Sequence, residues 1–368
     1  MKALITITSL LLILVLLSGC LGSSKSSTAP TLAFVYVVGQ GDNGIHGLAE
    51  KSTGDLSALP VPSFATSARP VSLALHPSKN FLYVPNLTSN TVSGFTVDHV
   101  SGVLTPVGTA LPPTPVGTSP VAVGINSTGT FLYVLNQGSA SISAFSVDTA
   151  RGLLASIGAP TATAANPQSM VVSPTAGFLF VGNGTLGTIS GFAIASNGTL
   201  SAVAGSPFNA GAGANVAGIT IDPKGQFLFA ADSANNAIAA FSISGAGALT
   251  AVAGSPFAAG TTPVSIAVDS TAAFLYCANQ GSNNLSAFKI SSGALAPITG
   301  SPYTLVATGT PQPSFVTVDV SNTFLYVANT GTSNISAFGI KTADGSLSLL
   351  TTSPFFQSVQ PLWIVTTQ

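Results

Sequence analysis

Few residues in this chain are equipped for chemistry. Its 368 residues hold nine Lys and Arg, ten Asp and Glu, and three His. Asp42, His46 and Arg69 form the one grouping that could act on a substrate. An imidazole exchanges protons near neutral pH, a carboxylate four residues upstream can orient it, and a guanidinium can hold an anionic or polarised oxygen. Those functions together suffice to hydrolyse an ester or a lactone. His76 and His99 lie on other loops, and three scattered His lack the close, defined ligand spacing of a zinc site. The sequence contains no phosphate loop, dinucleotide fingerprint, EF-hand loop or G-x-S-x-G elbow. No metal or other cofactor is expected. Of the two cysteines, Cys277 lies inside the apolar run FLYCAN, where a thiol is a small buried side chain shielded from substrate.

The elements that must position these residues are short strands. Charged residues make up 5% of the chain and apolar residues 46%, a balance opposite to that of a disordered protein. The apolar residues come in runs of about five to seven broken by Gly, Pro, Asn and Ser. After the first 20 residues none is long enough to cross a bilayer as a helix. A net charge of −1 gives no basic field for nucleic acid or for an anionic membrane surface.

The first 20 residues, MKALITITSLLLILVLLSGC, differ in kind. Lys2 is a short positive n-region, and Ala3 to Leu17 form an apolar stretch of signal-peptide length. Leu17-Ser18-Gly19-Cys20 resembles the lipobox of bacterial lipoproteins. That resemblance implies removal of residues 1–19, acylation of Cys20, and a membrane-anchored protein exported to the periplasmic or extracellular face of the cell envelope. Residues 20–31, with SSKSSTAP, read as a flexible tether. Cys277 then has no intramolecular disulfide partner.

Residues 32–368 repeat. AFVYVV, FLYVPN, FLYVLN, FLFVGN, FLFAAD, FLYCAN and FLYVAN place a shared Phe at 34, 81, 131, 178, 227, 274 and 324. Each copy carries four strand signals separated by turn residues, as in PVSIAVDS, AFLYCAN, NLSAFKI and ALAPITGSPY. Seven copies of four antiparallel strands predict an all-β, seven-bladed β-propeller. The first copy lacks its inner strand, and the chain ends with QPLWIVTT, which is that strand and nothing more. The C-terminal strand should therefore complete blade 1 and close the ring, removing exposed sheet edges. A closed ring with its own core is expected to be a monomer.

The pattern P-x-S-x-A-V-D, FLYVAN, ISAF and G-x-L resembles the YVTN-type repeats of bacterial surface propellers. It is also similar to the propeller lactonases, the 6-phosphogluconolactonase-like family. The resemblance covers residues 32 to 368 and implies a seven-bladed propeller whose enzymatic members open a sugar lactone without a metal. It also implies His, or an Arg-His pair, just after the Pro that opens an inner strand, and Glu after the Asn that ends a second strand. Here those positions hold Val71-Ser72, Val121-Ala122, Gln168-Ser169, Val264-Ser265 and Ser314-Phe315, and Leu87 stands where the Glu would be.

In a propeller the turns between second and third strands share one face with the loops leading into the inner strands, around the channel mouth. The turns NLTSNT, NQGSAS, NGTLGT, DSANNA, NQGSNN and NTGTSN offer amides and hydroxyls there, suited to a neutral polar ligand such as carbohydrate, or needed simply to make tight turns. His46 breaks this pattern, standing where other copies have Ser93, Ser143, Ser190, Ala239, Ser286 and Ser336. Arg69 likewise stands where they have Ser119, Asn166, Thr262 and Gln312. Two functions follow. One is a lipid-anchored surface propeller that binds a carbohydrate, lactone or protein partner at the channel face. The alternative is a lactonase acting outside the cytoplasm through His46, Asp42 and Arg69.

Overall fold

A computed structural model describes residues 31–108, 114–175, 177–305, 309–356 and 360–367. Cys20, the residues read from the sequence as a signal peptide and most of those read as a tether lie outside the described residues. What is described is all β: seven antiparallel sheets arranged as the blades of a seven-bladed propeller. In blade 6 the inner, second and third strands are Pro263–Val268, Phe274–Asn279 and Asn284–Ser291. The outer strand of blades 2 to 7 is broken in two, and both pieces pair with the third strand; in blade 6 they are Ala294–Pro297 and Tyr303–Thr304. Blade 1 keeps one long outer strand, Leu56–Ala65.

The ring closes as the repeat required. Pro361–Thr366 pairs antiparallel with Thr31–Gly39, matching Val35 to Thr366 and Val38 to Trp363, and becomes the inner strand of blade 1. Thr367 finishes the junction: its Oγ1 accepts the Phe34 N–H at 2.8 Å.

The core consists of seven apolar seams, each shared by two neighbouring blades. The second strands are apolar on both faces because each face meets a different neighbour. In Phe34–Gly39, Tyr36 and Val38 pack toward blade 2 while Val35 and Val37 pack toward blade 7. Cys277 is buried in the seam between blades 5 and 6 beside Phe229 and Leu275, and burial pushes its thiol well above the usual range. A neutral thiol in that position is not a nucleophile.

Tyrosines tie the seams together. Tyr36 OH donates to the Gly102 carbonyl at 2.8 Å, Tyr83 to Gly152 at 2.8 Å and Tyr133 to Gly198 at 3.0 Å, each reaching the next blade. These glycines have φ near +70° to +85°, and a Cβ on Gly102 would sit 2.5 Å from the Phe34 ring. The repeated Gly-x-Leu turn is therefore glycine for two reasons, left-handed backbone and close approach. Far from the channel mouth, His76 is buried and holds a turn, with Nδ1 against Ser78 Oγ at 2.7 Å and Nε2 against the Gly129 carbonyl at 2.9 Å. His99 lies at the surface, 2.8 Å from Asn80 Oδ1.

Candidate functional site at the first blade

In five blades the turn between second and third strands is held by one side-chain pair. Asn Nδ2 at the end of the second strand donates to a Ser Oγ on the third: Asn86 to Ser93, Asn136 to Ser143, Asn183 to Ser190, Asn279 to Ser286 and Asn329 to Ser336, at 2.8–3.0 Å. Blade 5 substitutes both members, with Asp232 and Ala239; the carboxylate takes the backbone N–H of Asn215 at 2.9 Å instead. Blade 1 substitutes both members in another way. Gly39 stands in the Asn position and His46 in the Ser position.

Gly39 makes room for the histidine. A Cβ there would lie 2.7 Å from His46 Nε2 and 2.6 Å from Asp42 Oδ1, so any larger residue would collide with both. The imidazole thus occupies the space vacated by the missing amide. His46 Nε2 lies 2.9 Å from Asp42 Oδ2; the His side chain is 10% exposed and the Asp side chain 35%. The pair is buried at its inner end and open to solvent at the carboxylate. Reading the sequence singled out His46 and Asp42 but missed Gly39, although the signal was present: one glycine in a column of Asn and Asp.

Arg69 joins them through the scaffold common to the blades. Asn43 ends the turn in the left-handed region, and its Oδ1 accepts the Arg69 backbone N–H at 2.7 Å. Asn90, Asn236 and Asn283 make the same bond to Ser119, Thr262 and Gln312, at 2.8 Å each. Arg69, like those residues, has positive φ, here 59°. Its backbone place belongs to the repeat; only its side chain is new. The guanidinium turns to Gln40, whose amide is assigned with its oxygen toward Nε at 3.1 Å and Nη2 at 3.2 Å, because the reverse orientation would set donor against donor. The Gln40 N–H in turn donates to the Gln360 carbonyl at 3.2 Å, so the ring closure anchors this corner. Gln40 is a second residue that sequence reasoning did not single out.

The structure therefore brings His46 and Asp42 into contact and sets Arg69 on the adjoining loop, held through Asn43 and Gln40. Across the same face, between blades 6 and 7, the equivalent positions are Gln280, Asn283 and Gln312, lining a shallow recess of about 310 Å³ without a charged residue. One side of the channel mouth is thus acid–base in character and the other is amide.

These features define the class: a closed seven-bladed propeller with a polar site where the turns meet the channel. The profile of the family described as "Lactonase, 7-bladed beta-propeller" matches residues 25–211 and 199–308, and the chain belongs to that family. Among solved structures it resembles a Bacteroides uniformis protein proposed to be a 6-phosphogluconolactonase, with a TM-score of 0.78 at 18% identity, covering 91% of this chain and 99% of that one. It also resembles the periplasmic gluconolactonase PpgL of Pseudomonas aeruginosa, with a TM-score of 0.77 at 17% identity, covering 91% and 98%. At these identities the likeness is one of fold. No curated protein sequence matches the chain.

Proposed function

We propose that this propeller is a hydrolase of lactones, acting at the channel mouth of blades 1 and 2 and tethered to a membrane of the cell envelope through Cys20. The observation that carries this reading is the His46–Asp42 contact, built into the one blade where Gly39 replaces the turn-holding amide. Membership of the lactonase family supports the reaction class.

The residues divide the work as follows. His46 Nε2 lies 2.9 Å from Asp42 Oδ2 but is not aligned as a hydrogen bond in the structure. A rotation of the carboxylate would let Asp42 accept the Nε2 proton and fix the imidazole tautomer, which leaves Nδ1 as the base. Nδ1 takes a proton from water as its oxygen attacks the lactone carbonyl. The tetrahedral oxyanion forms within reach of the Arg69 guanidinium donors that Gln40 leaves free. When the ring C–O bond breaks, the Nδ1 proton passes to the departing alkoxide, leaving a hydroxy acid as carboxylate. His46→Ala should lower kcat/KM on an accepted lactone by roughly 10²–10⁴-fold. Arg69→Ala should reduce it less. Purified variants assayed on a lactone panel decide the matter: equal rates for wild type and His46→Ala would remove His46 from the mechanism, and no turnover of any lactone would remove the activity.

A second reading, a binding surface for neutral polar ligands, is favoured by the amides of Gln280, Asn283 and Gln312. Under it, sugar binding measured by calorimetry survives His46→Ala and weakens on Gln312→Ala. The anchor has its own test. Cys20→Ser should move the protein from the membrane fraction to the soluble fraction; an unchanged distribution would exclude lipid attachment at Cys20.

A further inference from the structure

The repeat also breaks along the channel itself. Counted from the Pro that opens each inner strand, or from Val216 in blade 5, the third position holds Ser, Ala or Gly in blades 2 to 6. In blade 7 it is Phe315 and in blade 1 it is Trp363. Small residues suit this column because the inner strands approach one another closely around the channel. A Cβ on Gly218 would lie 2.4 Å from the Val264 carbonyl oxygen of the next blade, and Ser265 Oγ accepts the Val316 N–H of blade 7 at 3.2 Å. From blade 7 to blade 1 that contact is replaced by ring on ring, with centroids 4.0 Å apart and planes inclined at 27°. The two strands still meet through Ser314 Oγ, which donates to the Pro361 carbonyl at 3.1 Å. Both rings are half-buried.

The strands that carry this pair are uncharged. Among the described residues, none of the seven inner strands holds Asp, Glu, Lys, Arg or His. The residue after the opening position is half-buried and apolar in five blades: Val71, Val121, Ala217, Val264 and Leu362. The pair also lies close to the candidate site. Pro361 is matched with Gly39, the residue that leaves room for His46. Trp363 is two residues further along the same strand, roughly 7 Å from Pro361 at the usual rise. The stacked rings thus form a shelf in the channel below the His46–Asp42 corner.

We propose that the Phe315–Trp363 shelf binds an apolar substituent of the substrate, so that the propeller takes uncharged lactones bearing an alkyl or aryl group. The reaction rests on the lactonase reading above; the substrate class rests on the shelf. An aromatic ring presents a large, rigid apolar face, and two of them stacked present it without rotameric freedom to lose. A phosphate or a second carboxylate on the same substrate would be stripped of water beside strands that offer it no cation. Arg69, at the mouth, is turned to Gln40 and faces the oxyanion in the mechanism. The channel therefore selects against a phosphorylated sugar lactone and for an apolar one.

Trp363 is the only tryptophan in the chain, so intrinsic fluorescence reports on this shelf alone. The probe is δ-decalactone, which does not absorb where tryptophan is excited, titrated into the purified chain. Trp363 emission should change saturably, and D-glucono-δ-lactone should bind roughly tenfold more weakly. Phe315→Ser, which restores the residue type of Ser72, Ser169 and Ser265, should raise the Kd for δ-decalactone by a similar factor. Should that variant not fold, acrylamide quenching of the wild-type chain replaces it: bound δ-decalactone should shield Trp363. Unmoved emission, an unshielded Trp363, a folded Phe315→Ser that binds as tightly as wild type, or equal binding of the two lactones would overturn the shelf. Binding of δ-decalactone without its opening would support the shelf and overturn only the reaction.

Discussion

Deleting Leu362 to Gln368 is expected to leave a chain that unfolds or aggregates instead of a slightly weakened propeller. The lost segment is the inner strand of blade 1, paired along Thr31–Gly39. It carries Ile364, 1% exposed in the seam between blades 7 and 1, and Trp363, stacked on Phe315 with ring centroids 4.0 Å apart. Leu362 and Val365 pack against the seam with blade 2. Burial of four such side chains is worth roughly 1.5–3 kcal/mol each at full burial, and a typical domain has only about 5–15 kcal/mol to lose. The deletion also exposes the backbone edge of the second strand, an open template for association. Thermal unfolding and size-exclusion chromatography test this, and an unchanged melting temperature with a monomer peak would refute closure by this strand. Substituting Trp363→Ala removes the stacked ring alone and should cost a small fraction of that.

The second large effect concerns Glu50, a buried carboxylate at the same seam, 2% exposed. Its counterparts on the third strands of the other blades are Val97, Val147, Ile194, Ile243, Ile290 and Ile340. Burial raises the Glu50 carboxyl from 4.5 to about 7; the Asp319 charge adds to the rise, and the Tyr326 hydroxyl opposes it. Asp319 is itself held by the N–H groups of Thr323 and Phe324. Tyr326 OH spans the seam to the Gly54 carbonyl at 3.1 Å.

The sign follows from linkage. Between about pH 4.5 and 7 the folded chain binds a proton at Glu50 that the unfolded chain does not, so stability falls as pH rises through that window. The contribution is complete below pH 4.5 and gone above about 7, a span of roughly 3 kcal/mol. Glu50→Gln keeps the shape of the protonated acid and carries no charge. Its melting temperature should exceed that of wild type by several degrees at pH 8, with the gap closing toward pH 4.5. Glu50→Val, which restores the residue type of the other blades, should behave alike. Melting curves of wild type and variant that stay parallel from pH 4.5 to 8 would show that Glu50 does not titrate in this window.

Both predictions arise in blade 1, as does the candidate site, and this concentration has a physical origin. Six blades are each continuous in sequence, whereas blade 1 is assembled from the two ends of the chain. Gly39 and His46 replace the Asn and Ser that hold this turn in five other blades, and the Gln40 N–H bonds to the Gln360 carbonyl across the closure. Chemistry placed at this junction exists only when the ring is shut. On the proposed reading, loss of the closing strand should abolish lactone turnover along with stability.

The sequence by itself determined the blades, their number and the closure, and it pointed to three residues of the candidate site. Those are local or periodic properties: strand pairing within a hairpin follows from short-range alternation and turn chemistry, and a near-constant period repeats it seven times. Comparing copies column by column then exposed His46 and Arg69 as deviations, with Asp42 in the turn just before His46. The tertiary structure decided which deviations meet. It showed that Gly39 leaves the space His46 fills, that Gln40 takes the Arg69 guanidinium, and that Asn43 fixes the Arg69 backbone. It also set Glu50 against Asp319 and Tyr326, which are more than 260 positions away in sequence. Contacts between blades depend on how two sheets face each other, and no period along one chain encodes that distance.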